Sequence, residues 1–158
     1  DSDSGKNIQS IWSHFGSNTS TTKLELDFYD VSKDEAKMII SIYLASKNPV
    51  ESYKLIFAKE KDKNKSKYNK NYKLPKTIML SNVLYIFKAL SGYFGLDLDP
   101  SWFYHLYNLS RKQLITFKSS KKQGDFIIAS NITDSFAAEL SHIIDLDLKK
   151  YLYSECFS

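Results

Sequence analysis

The sequence predicts an α+β domain in which several helices lead to a β-hairpin and a further helix follows it. Residues 100–112 carry apolar side chains at helical spacing, and LITFK and FIIAS then flank the turn-forming segment SSKKQGD. The chain has 158 residues, of which 42% are apolar and 15% aromatic. This composition suits one domain with a buried core, which we assign to residues 23–158.

Residues 1–22 are predicted to form a flexible or docking segment that precedes the domain. They are polar and end in SNTSTT, a low-complexity run. Within them, apolar residues recur at the i, i+3, i+4 and i+7 spacing of an amphipathic helix. These residues are Ile8, Ile11, Trp12 and Phe15.

The first half of the domain is predicted to contain one strand and two helices. Lys23–Val31 alternates apolar with charged residues, as a strand does. Ser32 is a helix N-cap, and two acidic residues follow it in the first turn of a helix that ends near Lys47. Asn48-Pro49-Val50-Glu51 has the pattern of a capping box, which favours a helix over 49–60, although YKLIFA also allows a strand. That helix is expected to bury Val50, Tyr53, Ile56 and Phe57.

In the second half, a short strand at Thr77–Leu80 is predicted to precede a strongly apolar helix capped by Ser81. Gly92 marks the end of this helix. Asp99-Pro100 begins the next helix, over 100–112, and the hairpin after it turns at Gly124, which tolerates a positive φ. Thr133 caps a final helix, which the apolar residues up to Leu152 extend.

The positive charge of the chain is concentrated in one segment. Residues 59–76 contain eight lysines and two acidic residues, a net charge of +6, whereas the whole chain carries +4. The remainder is therefore close to −2. The segment is expected to form a long exposed loop that either contacts phosphate or is a solvated insertion.

This order of elements is typical of a winged helix with additions at both ends, a variant of the helix-turn-helix. Residues 30–145 contain the segments DEAKMIISIYLASKN, PVESYKLIFAKE, and LSRKQLITFK with GDFIIAS. In these segments the chain resembles the winged-helix domain of the origin-recognition family. The basic loop is longer than in that family, and the chain contains no ATPase motif. A silencing branch of the family has a divergent winged helix, and membership in it implies self-association in nuclear heterochromatin.

The helix over 100–112 decides between DNA and protein as the partner. Base contacts favour arginine, lysine, asparagine and glutamine on the exposed face, yet only Arg111 and Lys112 are cationic and both lie at the C-terminal end. The aromatic residues have three interpretations: core, protein interface, or base reading. The helical spacing directs Trp102, Phe103, Leu106 and Leu109 inward and Ser101, Tyr104, His105, Asn108, Arg111 and Lys112 outward.

From these patterns we expect a non-catalytic module that forms a homodimer or docks other chromatin proteins in the nucleus. The expected interface residues are Trp102, Phe103, Tyr104, Tyr107 and Asn108. The alternative is a DNA-binding domain with weak, non-specific contacts to the phosphate backbone. Its expected DNA contacts are Arg111, Lys112, Lys118, Lys121, Lys122, Lys65, Lys67 and Lys70.

Enzymatic and metal-dependent functions are not expected. The three histidines have no partner at ligand spacing, and the one cysteine, Cys156, has no nearby histidine in the sequence. No glycine-rich phosphate-binding motif occurs, and no apolar run reaches the 18 residues that suggest a membrane span. We therefore expect no cofactor, metal, membrane or small-molecule substrate.

Overall fold

The computed structural model describes residues 24–59, 71–92, 100–122 and 124–156 and has mixed α+β architecture, as the sequence predicts. The first elements are α1 (24–28), α2 (Lys33–Lys47), a 3-10 turn (Val50–Ser52) and α3 (Tyr53–Ile56). They are followed by β1 (Ile78–Met79), α4 (Leu80–Leu90), α5 (Ser101–Arg111), β2 (Ile115–Ser119) and β3 (Phe126–Ser130). The chain continues with α6 (Asp134–Ile143), a second 3-10 turn (Leu148–Tyr151) and α7 (Tyr153–Cys156).

Helix α2 is the centre of the core. Its residues are buried on almost every side, because α4, α5 and α6 all pack against it. The predicted N-cap is confirmed: the Ser32 hydroxyl accepts from the Glu35 amide at 3.0 Å, and the Glu35 carboxylate accepts from the Ser32 amide at 3.3 Å. This reciprocal capping box satisfies two amide donors that the first turn otherwise leaves unpaired.

The predicted hairpin is also confirmed and belongs to a three-stranded antiparallel sheet in the order β1-β3-β2. Ile115 pairs with Ser130 at the base of the hairpin, and Ser119 pairs with Phe126 near its turn. Gly124 in that turn has a φ of +82°, which a side chain would strain. The buried side chains of Ile115 and Ile128 anchor the sheet to the helical core.

Two predictions in the first half are wrong. Lys23–Val31 is predicted to be a strand, but 24–28 is helical and is followed by a turn in which Asp30 has a φ of +57°. Of the alternating residues Leu24, Leu26 and Phe28 only Leu26 is buried, and Phe28 is 84% exposed, so the alternation does not produce a buried face. The helix over 49–60 is reduced to a 3-10 turn and a single turn of α-helix, and Val50 is exposed.

The C-terminal residues do not extend α6. This helix ends at Ile143, and Asp145 has a φ of +57°. The Leu146 amide donates to the Ser141 carbonyl at 2.8 Å, which is the six-to-one hydrogen bond of a Schellman motif. The chain then turns back toward the end of α2. Within the described ranges, no helix has the length and apolar character needed to cross a bilayer.

Candidate protein-interaction surface

Helix α5 is held in place by two leucines and presents its other side to solvent. Leu106 is 1% exposed and Leu109 is 0% exposed, and both belong to the main core. The helix ends in a Schellman motif in which Gln113 has a φ of +62° and the Leu114 amide donates to the Leu109 carbonyl at 3.1 Å. This turn leads directly into β2, so the helix and the hairpin have a fixed relation.

Three aromatic side chains on α5 form an exposed surface. Phe103 is 61% exposed, Tyr104 67% and Tyr107 50%. We call these residues the α5 aromatic surface. The expected inward direction of Phe103 is therefore wrong, whereas Trp102 is partly buried against the core and its ring lies edge-on to Phe103 at 5.9 Å.

A cation lies against the α5 aromatic surface. The Arg111 guanidinium lies 5.9 Å from the centre of the Tyr107 ring, within the range of a cation–π contact. The Tyr104 and Tyr107 rings are 6.5 Å apart and inclined by 64°, a favourable edge-to-face arrangement. A stripe of tyrosine, tyrosine and arginine is the composition that protein interfaces favour.

Asn108 and Lys112, which were expected to face outward, bind the beginning of α2 instead. Lys112 Nζ lies 2.8 Å from Glu35 Oε1, and Asn108 Nδ2 donates to Glu35 Oε2 at 3.1 Å. Lys112 Nζ also donates to the Asp30 carbonyl. Because these groups are engaged inside the protein, they fix the orientation of α5 and contribute little to its exposed face.

Glu35 is the acceptor at the centre of this cluster. It is 6% exposed, and burial alone would raise the pKa of its carboxyl group. The hydrogen bonds from Lys112, Asn108 and Ser32, with the charge of Lys112, outweigh burial, so that its pKa is lowered from the ordinary value. The group is therefore ionised at neutral pH and acts as a buried anchor. His105, another residue expected to face outward, lies 3.7 Å from Asp34 and is largely covered.

The hairpin turn provides the cap of α4, which the sequence predicts at a different residue. Ser81 was expected to cap α4, but the helix begins one residue earlier, and the cap is the 8%-exposed carboxylate of Asp125. Asp125 accepts from the Ser81 amide at 3.1 Å and from its hydroxyl at 2.7 Å. Burial raises the pKa of Asp125, yet these bonds and the Phe126 amide lower it overall. This cap fixes the hairpin turn against α4.

The predicted DNA-contacting lysines are only partly described. Lys118, Lys121 and Lys122 are exposed on the hairpin, and none of the ion pairs in the described part of the chain includes them. The loop lysines Lys65, Lys67 and Lys70, like the predicted helix at residues 8–15, lie outside the described residues. In those same described ranges, no three histidine, cysteine or acidic residues are grouped as metal ligands.

Glu35 and Asp125 are anchors that the sequence does not predict. The spacing of Ser32 and Glu35 is that of a capping box, which was a visible signal for the first role of Glu35. Its bonds to α5 have no such signal, because Asn108 is 73 residues away. The amino-acid sequence matches no model of a known protein family and no curated protein sequence.

Proposed function

We propose that this chain is a variant winged helix that has no catalytic role and associates with a second copy of itself through the α5 aromatic surface. The order helix, short strand, two helices and hairpin supports this fold, with α5 in the place of the recognition helix. The strand order β1-β3-β2 supports it as well. The exposure of Phe103, Tyr104 and Tyr107 is the observation that carries the function.

The area of the surface fits the centre of an interface. Exposed fractions of 61, 67 and 50% correspond to about 350 Å² if each aromatic side chain offers roughly 200 Å². A stable interface buries about 800 Å² on each partner. The three side chains thus supply slightly less than half of it, and a rim of neighbouring residues completes the contact.

The charge distribution also suits self-association. A twofold axis perpendicular to α5 and passing between Tyr104 and Tyr107 places the two helices antiparallel. With a rise of 1.5 Å per residue, the two Arg111 residues are then about 16 Å apart, measured along the helix axes. This separation is about two Debye lengths at physiological salt.

The test is the oligomeric state of the domain with and without an aromatic side chain. We expect sedimentation to show a reversible dimer, and Tyr104→Ala to raise its dissociation constant by about 30-fold, because each of the two copies of Tyr104 in the dimer contributes about 1 kcal/mol. Phe28→Ala is the matched control, because Phe28 is 84% exposed but lies on α1. A wild-type chain that stays monomeric at about 1 mM, or equal effects of both variants, contradicts the proposal.

The proposed setting is a nuclear chromatin or silencing protein, and only the resemblance to the origin-recognition family supports it. Imaging of the tagged full-length protein tests this setting: uniform exclusion from the nucleus contradicts it. In that setting the dimer would connect two chromatin-bound copies. This role requires no substrate or cofactor.

A second candidate function is weak binding to the DNA backbone through the hairpin. The observation that favours it is the exposure of Lys118, Lys121 and Lys122 near one turn. Each neutralised phosphate adds about 0.9 to the slope of log affinity against log salt. We expect Lys118→Gln with Lys121→Gln to reduce that slope by about 2, whereas Lys54→Gln on α3 leaves it unchanged. Binding that is absent at low salt, or that keeps its slope in the double variant, contradicts this function.

A further inference from the structure

The C-terminal segment of the described chain is bound by a buried asparagine at the end of α2. Asn48 is 0% exposed. Its amide nitrogen donates to the Tyr151 carbonyl at 2.8 Å, and its amide oxygen accepts from the Tyr153 amide at 2.6 Å. The same nitrogen donates to the Leu44 carbonyl at 3.0 Å, so that the side chain is fixed to the helix on which it sits.

These contacts reproduce the pairing of a neighbouring β-strand. Leu152, between the two bonded residues, is extended, with φ −103° and ψ 123°. In an extended chain the carbonyl before a residue and the amide after it point to the same side. The Asn48 carboxamide offers one donor and one acceptor to that side. It therefore recognises main chain, whose hydrogen-bonding groups every peptide carries.

Aromatic packing adds side-chain selectivity to this recognition. The Tyr151 ring stacks on Phe57 with 5.9 Å between ring centres and 5° between ring planes. Phe57 is 2% exposed, and the Tyr53 ring packs edge-on against it with 5.3 Å between the ring centres. The Tyr153 ring lies 6.3 Å from Tyr72. The site thus contacts an aromatic ring at the first and at the third residue of the segment Tyr151–Tyr153.

The bound segment itself has the character of a ligand. None of residues 146–156 is buried, although several are partly covered by the core. The segment is joined to α6 by the turn at Asp145, where a non-glycine residue holds a left-handed conformation. Such a segment, packed on the outside of the core and tethered by a turn, can exchange with the same segment of another copy, and each contact is then made between the two copies.

We propose that Asn48, Phe57 and Tyr72 form a peptide-binding site and that the C-terminal segment of a second copy of this chain occupies it in trans. The two copies exchange the segment 148–156, so that each completes the other's site. This contact is separate from the α5 aromatic surface and does not depend on it.

Complementation between two defective full-length chains tests the exchange. Asn48→Ala removes the site but keeps the segment, whereas Tyr151→Ala weakens the segment but keeps the site. Both are made in a Tyr104→Ala background, so that association through α5 is suppressed. Light scattering is expected to show that each variant alone is monomeric and that an equimolar mixture forms heterodimers, with one intact site in each.

Two further measurements keep the result interpretable. A fluorescent peptide of residues 146–156 is expected to bind the Tyr151→Ala chain at least tenfold more tightly than the wild type, whose own segment competes, and not to bind Asn48→Ala. Where circular dichroism shows that Asn48→Ala is unfolded, Phe57→Leu replaces it. A mixture that behaves as the sum of its two components overturns the exchange, and equal peptide affinity for all folded chains overturns the site. Neither result bears on the dimer through α5.

Discussion

Replacing Glu35 is the strongest test of how α5 is positioned. Glu35→Ala removes one acceptor that serves Lys112, Asn108 and the Ser32 amide. Breaking a buried ion pair by removal of one partner costs about 3–5 kcal/mol. The Lys112 side chain is 29% exposed and regains some hydration, so we expect a loss of about 2–4 kcal/mol in the free energy of unfolding. Against a typical total of about 5–15 kcal/mol, this loss is large.

Urea denaturation of Glu35→Ala measures this loss, and a double-mutant cycle of four chains isolates the contribution of the ion pair with Lys112. The set is the wild type, Glu35→Gln, Lys112→Met and the double variant, and the expected coupling energy between the two sites is about 1–3 kcal/mol. Glu51→Gln is the control, because Glu51 is an exposed acidic residue in the first 3-10 turn. A coupling energy below about 0.5 kcal/mol, or a control that loses as much as Glu35→Gln, refutes the role of the cluster.

Three further predictions concern acid, an unpaired hydroxyl and a strained turn. Folding lowers the pKa values of Glu35 and Asp125. The two carboxylates therefore stabilise the fold fully above their pKa values in the unfolded chain, about 4.3 and 3.9, and this contribution is lost as the pH falls toward their pKa values in the folded chain. Thermal melts should therefore decline below about pH 4, and less steeply in Glu35→Gln; a steady decline from pH 8 to 6 contradicts this assignment. The Tyr53 hydroxyl is buried and has no hydrogen-bond partner among the described residues, and burial raises its pKa. Tyr53→Phe should therefore raise the free energy of unfolding, measured by urea denaturation, by about 1 kcal/mol. A loss of stability would reveal a partner. Gln113 has a φ of +62°. Gln113→Gly should add about 0.5–1 kcal/mol to the free energy of unfolding, because the backbone strain relieved exceeds the additional conformational entropy that glycine loses on folding. A destabilised variant argues against the strain.

The elements that could be predicted are those whose start signals are local. Ser32 and Thr133 cap α2 and α6 through hydrogen bonds to amides three residues later, and such bonds depend only on nearby sequence. The hairpin was predictable for the same reason, because Gly124 specifies its turn. By contrast, α1 has leucine and phenylalanine at positions that suit both a strand and an i, i+4 helical pair, so periodicity alone could not distinguish them.

The interactions that could not be predicted join residues far apart in the sequence. Asp125 caps α4 by binding Ser81, which lies 44 residues before it, and Asn48 binds main chain about 100 residues away. Asn48 has the sequence appearance of an N-cap for the following helix, yet its side chain points back to the Leu44 carbonyl. A polar residue between two helices satisfies whichever buried groups the tertiary structure brings to it, and the local pattern does not specify which.

The same distinction determines what α5 offers to a partner. A helical projection places every polar residue opposite the apolar stripe and so assigns Asn108 and Lys112 to the exposed face. In the folded chain a second contact, with the start of α2, engages both of them through Glu35. Their removal from the exposed face leaves Arg111 as its remaining cation, packed on Tyr107. A groove of DNA requires several cations on the docking helix, whereas a protein partner requires exposed aromatic area with little net charge. The internal use of Lys112 therefore favours a protein partner for this face, and any DNA contact would have to come from the hairpin lysines.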